Sequence, residues 1–260
     1  FSKDLDGLED IDFYTVQLNN RLPFLDNSLF VLQWFRVDNL RPTGDDAFRD
    51  EPWTDFGTLQ GPKTQDLETL SSGLLRAHHP TKPLYAQETL WSGNKYHPAY
   101  TDEELRRNAW VILFSGAMIN FADNGGAKAG DVGDSSSGFS GTMDLADRRQ
   151  DRHDILKKVW DLFAKLPFYQ LRPRQDLVDR GYCLADPGKA YAVYLPDGGA
   201  VDLSLVAGDY RGTWLSPRDL GDRRPCGVVD GARVFSAPGD GEDWLLWLAS
   251  ADNPAAETLS

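Results

Sequence analysis

The sequence predicts an α/β segment over residues 1–174 followed by an all-β segment over residues 175–260. Three observations predict it. In the first part, short β-branched and aromatic runs alternate with apolar residues at helical spacing; that spacing stops at Pro167; and beyond residue 175 glycine- and proline-bearing turns divide the chain into short strands.

Residues 11–18 (IDFYTVQL) read as a first strand leading into a polar turn at Asn19-Asn20. From Asn19 to Pro62 the chain carries Pro23, Pro42, Gly44, Pro52, Gly57 and Gly61, the composition of one long functional loop. Leu67, Leu70, Leu74 and Ala77 then recur at three- and four-residue spacing, which predicts a helix over 64–77. A second strand over 84–87 delivers Glu88 at its C-terminal end, ahead of the aromatic and polar loop TLWSGNKYHPAY.

Thr101-Asp-Glu-Glu104 has the capping-box form, so a helix starts there. Leu105, Ala109, Ile112 and Leu113 share one face of it, and it should stop near Gly116, before a buried strand over 117–121. A Gly/Ser-rich loop at 123–141 precedes a last helix, marked by Ile155, Val159, Leu162 and Leu166.

Further on, strands are predicted over 182–185, 190–195, 200–205, 211–215, 232–235 and 244–249, with turns at Pro196-Asp-Gly-Gly199 and Pro238-Gly-Asp-Gly241. Trp244, Leu246 and Leu248 alternate with Leu245, Trp247 and Ala249. Apolar residues on both faces mark a buried central strand.

With 40 acidic against 27 basic side chains, the net charge of −13 repels phosphate backbones and anionic lipid, so neither nucleic acid nor membrane is expected as a partner. No apolar run approaches the roughly 20 residues that span a bilayer, and the N-terminus lacks a signal-peptide layout. No cofactor or metal is expected. The glycines of 123–141 are not followed by Lys-Ser/Thr, Asp131 and Asp134 lack EF-hand order, and no Cys/His spacing suggests zinc. Cys183 and Cys226 fit a disulfide or two free thiols. His78 and His79 fall at a helix end, where imidazolium suits the dipole, and have no Ser or Cys partner for a triad.

Parallel strands joined by helices gather their C-terminal ends at one mouth, where barrel enzymes carry their active sites. Gln17, Glu88 and Asp123 occupy such positions. After Glu88 come Trp91, Asn94, Tyr96 and Tyr100, rings and amides suited to stacking on sugar faces and bonding hydroxyls. Trp34 and Trp53 read as packing residues.

Several segments in succession resemble the apiosidase-like glycoside hydrolases: DFYTVQ at 12–17, KPLYAQETLW at 82–91, RRNAWVILFSGAMINF at 106–121 and LPFYQLRP at 166–173. YAVYLPDGGAVDLSL, WLSPRDL and APGDGEDWLLWL look like the collagen-binding-type β-sandwich that follows those TIM barrels. The resemblance implies a partial (β/α)8 barrel, its last three β/α units, over 1–174, an antiparallel β-sandwich over 175–260, a carbohydrate substrate, and a secreted or periplasmic location. It also implies that Glu88 is the carboxylate ending the seventh barrel strand, the nucleophile of retaining members, with Gln17, Trp91, Asn94 and Asp123 around the sugar.

In that family the acid/base lies on the fourth strand, whereas the strand at Ile11 counts as about the sixth. The chain, beginning at Phe1, is therefore expected to be a fragment whose partner is the missing N-terminal barrel segment. Retaining hydrolysis needs a second carboxyl group roughly 5 Å from the nucleophile; Asp12, Glu51 and Asp55 are the available substitutes. The alternative is a non-catalytic carbohydrate- or matrix-binding protein.

Overall fold

The computed structural model describes residues 37–40, 56–60, 66–91, 100–122, 151–219, 221–230 and 234–253. The expected strand at 11–18, with Gln17, and the Gly/Ser-rich loop, with Asp123, lie outside them.

Among the described residues four strands form a parallel sheet in chain order: β1 (Val37–Leu40), β2 (Phe56–Gln60), β3 (Leu84–Trp91) and β4 (Ala117–Ala122). Parallel neighbours require a crossover, and α1 (Leu67–Ala77) and α2 (Asp102–Phe114) supply those between β2 and β3 and between β3 and β4. β1 and β2 correct the expectation of one long loop over 19–62. With four and five residues they are too short to show a period, and the prolines and glycines around them dominate the local pattern.

Both helix starts follow from side-chain capping. The Asp66 carboxylate accepts the Glu68 N–H at 3.1 Å and the Thr69 N–H at 3.5 Å. At α2 the capping box is complete: Thr101 Oγ1 accepts the Glu104 N–H at 3.1 Å, and Glu104 Oε2 accepts the Thr101 N–H at 2.7 Å. Gly116 ends the turn after α2 at φ +78°, where a Cβ would fall 2.6 Å from the His78 ring and 2.9 Å from Pro173.

Leu70 and Leu74 of α1, with Leu105, Ala109 and Ile112 of α2, bury against Leu59, Leu84, Ala86, Leu90 and Ala117 of the sheet. Inside this layer the Ser71 and Ser115 hydroxyls satisfy each other at 2.9 Å. α3 (Asp151–Phe163) adds Val159, Leu162 and Phe163 to the same core.

The rest of the described chain forms two antiparallel sheets. The larger has the order β10-β9-β12-β7-β6-β5, built from β5 (Arg172–Pro173), β6 (Tyr182–Asp186), β7 (Ala190–Leu195), β9 (Asp209–Leu215), β10 (Arg223–Asp230) and β12 (Trp244–Ser250). The smaller pairs β8 (Gly198–Asp202) with β11 (Val234–Asp240).

β12 lies between β7 and β9, and its two faces have different destinations. Trp244, Leu246 and Leu248 share a core with Val201 of β8 and Phe235 of β11. Leu245, Trp247 and Ala249 instead join Trp110 and Phe114 of α2. The doubly apolar strand expected at 244–249 is therefore covered on both sides. Tyr194 of β7 stacks on Trp110, centroids 5.7 Å apart at 26°, which ties the six-stranded sheet to the helix layer.

Three sequence expectations are corrected in these sheets. β10 was not foreseen, because Pro225 and Gly227 read as turn residues; it is an edge strand whose register shifts between them, the place where proline is tolerated. Pro238 to Asp240 are strand residues of β11 rather than a turn. The strand expected at 200–205 runs Gly198–Asp202 instead, so Gly198 and Gly199 open it. Cys183 and Cys226 are both free thiols.

Candidate functional site

The candidate site gathers around β3. The sequence placed Glu88 at the tip of a four-residue strand, but β3 continues to Trp91, so Glu88 lies within it. Its surroundings are irregular. Between the parallel pairs Ala86↔Ile119 and Leu90↔Phe121, three residues of β3 (Gln87, Glu88 and Thr89) stand opposite a single residue of β4, Asn120. Such an irregularity loosens the hydrogen-bond ladder and re-aims side chains, and it recurs at barrel rims and beside active sites.

The two faces of the parallel sheet are distinct. Leu84, Ala86 and Leu90 bury toward the helices, whereas Tyr85 and Asn120 lie on the other face, where Asn120 Nδ2 donates to the Tyr85 hydroxyl at 2.9 Å. This amide–phenol pair beside the irregularity was missed in the sequence. The signal was a lone polar residue, Asn120, within the apolar run AMINFA.

Tyr100 corrects a further expectation. It is 5% exposed and donates its hydroxyl to the Thr89 carbonyl at 3.4 Å, so it packs under the irregular stretch of β3 rather than offering a sugar platform. Burial, helped by the Glu104 charge, pushes its phenol up to about 12. Tyr100 stays neutral and serves as a donor that ties the residue ahead of the α2 cap to β3 at Thr89.

Of the other predicted site residues, Trp91 is the last residue of β3, and Gln17, Asn94 and Asp123 lie outside the described residues. The side chains of Glu88 and Trp91 also lie outside the description. His78, expected to suit the helix dipole as imidazolium, is held below its ordinary 6.5 by burial and then by the Arg172 and His79 charges. Among the described residues no three His, Cys, Asp or Glu side chains cluster to hold a metal, and no helix is long and apolar enough to cross a membrane.

No family model and no curated protein matches the chain. Solved structures do. A protein described as a glycoside hydrolase superposes with a TM-score of 0.61 at 16% identity, over 89% of this chain and 61% of that one. A family 5 glycoside hydrolase from Bacteroides vulgatus gives 0.60 at 16% identity, over 91% and 60%. The chain thus spans about three fifths of these proteins' length, and it shares the glycoside hydrolase fold.

Proposed function

We propose that this chain carries part of a retaining glycoside hydrolase of apiosidase-like type, with Glu88 as nucleophile and Gln17, Trp91, Asn94 and Asp123 shaping the subsite of a polysaccharide side chain. Residues 1–174 are then the closing part of a (β/α)8 barrel, and residues 175–260 a β-sandwich of the collagen-binding type. The irregularity in β3 carries this reading, because it puts Glu88 where a parallel strand departs from regular pairing, toward the C-terminal end at which barrel enzymes catalyse. The chain-order winding β1-β2-β3-β4 supports the barrel, since doubly wound sheets reverse their strand order.

The acid/base does not come from the described parallel strands. Asp38 is the other carboxylate in them; it pairs with Gly57, which pairs with Leu84. Asp38 therefore stands two strands from β3, about 10 Å away, and four residues short of Glu88 along the strand, about 13 Å more. Retaining hydrolysis works at roughly 5 Å. The partner carboxylate is assigned to barrel strands other than these four, or to Asp12, Glu51 or Asp55.

The distance of Asp38 favours a second reading for this chain by itself: carbohydrate or matrix binding without hydrolysis. Glu88→Gln in the full-length enzyme, assayed on plant and microbial polysaccharides with sugar binding measured in parallel, separates the two. Loss of turnover on the order of 10⁴-fold with binding retained supports catalysis by Glu88. Unchanged turnover removes Glu88 from the mechanism.

A further inference from the structure

The helix α2 has two packed faces. Leu105, Ala109 and Ile112 bury against the parallel sheet, while Glu103, Arg106, Arg107 and Trp110 recur at three- and four-residue spacing along a second stripe. That stripe meets two turns of the antiparallel part. Arg106 Nε donates to Asp243 Oδ2 at 2.9 Å, just before β12. Arg107 Nη1 donates to Asp197 Oδ1 at 3.1 Å, between β7 and β8, and its Nη2 pairs with Glu103 at 2.6 Å. Trp110 adds its stack on Tyr194, whose hydroxyl also reaches Asp243.

The two turns form one unit. The Gly241 N–H donates to the Asp197 carbonyl at 2.9 Å. A Cβ on Gly198, at φ +61°, would fall 2.2 Å from the Gly239 carbonyl oxygen and 2.8 Å from that of Glu242. A residue without a side chain lets the backbones approach this closely, and the hydrogen bond holds the anchors of Arg106 and Arg107 at a fixed spacing. At the other end of the stripe, the capping box fastens Thr101 to Glu104, and Tyr100, next in the chain, donates to the Thr89 carbonyl. A continuous run of bonds thus leads from the buried Asp243 through the first turns of α2 to β3. It ends in the stretch Gln87 to Thr89, where pairing with β4 is irregular. Such a stretch loses part of its own ladder, so its backbone position depends on ties from outside.

We propose that Arg106 and Asp243 are positioning residues for the candidate site: the antiparallel part holds the start of α2, and α2, through Tyr100, holds the irregular stretch of β3. The role in turnover rests on Glu88 being the nucleophile, whereas the mechanical tie does not. Reacting groups tolerate misplacement of no more than about 1 Å, so slack in β3 costs turnover rather than sugar affinity.

Hydrogen exchange of the intact chain, read by mass spectrometry far below the unfolding temperature, tests the tie. In Arg106→Gln, the amides of residues 101–106 and 87–91 are expected to exchange at least about tenfold faster than in the parent, while β2 and β7 keep their protection. Tyr100→Phe cuts the tie at its last bond and should speed exchange over 87–91 alone. Unchanged exchange over 87–91 in either variant overturns the proposal. So does an equal rise in β2 and β7, which marks a general loss of stability. Should Arg106→Gln fail to fold, Tyr100→Phe decides by itself. In the full-length enzyme, Tyr100→Phe should lower kcat about tenfold with KM unchanged, on the polysaccharide used for Glu88→Gln. A raised KM with unchanged kcat overturns the positioning role. If Glu88→Gln keeps full turnover, the reading of Glu88 fails, and the exchange result still judges the tie.

Discussion

The Asp243 carboxylate is fully buried and takes both arms of Arg106, from Nε at 2.9 Å and Nη2 at 3.1 Å, so a residue just before β12 is fastened to α2. The Tyr194 hydroxyl donates to the same carboxylate at 3.1 Å. Removing one partner of such a pair strands the other charge. Asp243→Ala is expected to cost about 3–5 kcal/mol in urea unfolding, with Arg106→Leu/Asp243→Leu recovering much of that loss. A double variant less stable than Asp243→Ala would show that the pair contributes more than the penalty of leaving Arg106 alone.

Two glycines with nearly the same φ separate strain from crowding. Gly116 at φ +78° meets His78 and Pro173, whereas Gly241 at φ +75° has nothing near its Cβ position. Gly116→Ala should cost about 2–3 kcal/mol and Gly241→Ala about 1 kcal/mol. Thermal unfolding of both compares them, and equal shifts would place the whole cost in the backbone.

His78 predicts a pH effect. Its folded value lies below the ordinary 6.5, so just under that pH the unfolded chain binds a proton that the folded chain refuses. Stability from this residue is intact above about 6.5 and declines as the pH falls through the window beneath it. The urea midpoint should drop less between pH 7.5 and 5.5 in His78→Gln than in the parent. Parallel profiles would clear His78 of the effect.

The thiols should differ in reactivity. Burial pushes Cys183 up to about 12, while Cys226, half-buried on the edge strand β10, is raised by burial with a backbone hydrogen bond involving Trp214 opposing. A thiol reagent at pH 8 should modify Cys226 slowly and Cys183 only on unfolding. Fast reaction in native Cys226→Ser would contradict that burial.

Local chemistry was legible in the sequence wherever it repeats a local rule. The Thr101–Glu104 box started α2 where expected, and the double apolar alternation of Trp244 to Ala249 marked a strand covered on both sides. Rules that depend on distant neighbours were not legible. VDNL and FGTLQ become strands because parallel partners flank them, and Pro225 sits in a strand because that strand is an edge. At the candidate site, the sequence supplied Glu88 on a strand beside aromatic residues. It did not reveal that Tyr100 turns inward to the Thr89 carbonyl, or that β3 loses its regular pairing at Gln87 to Thr89, since both are set by the register against β4.

The central position of β12 has a consequence for biosynthesis. It leaves the ribosome after every other described strand, yet both of its neighbours, β7 and β9, are made earlier and have no mate on that flank until it arrives. A nascent chain stopped short of Trp244 exposes two raw hydrogen-bonding margins at once, each able to recruit a stray polypeptide. Translation must run past β12 before those margins are covered and the molecule is safe from its own kind.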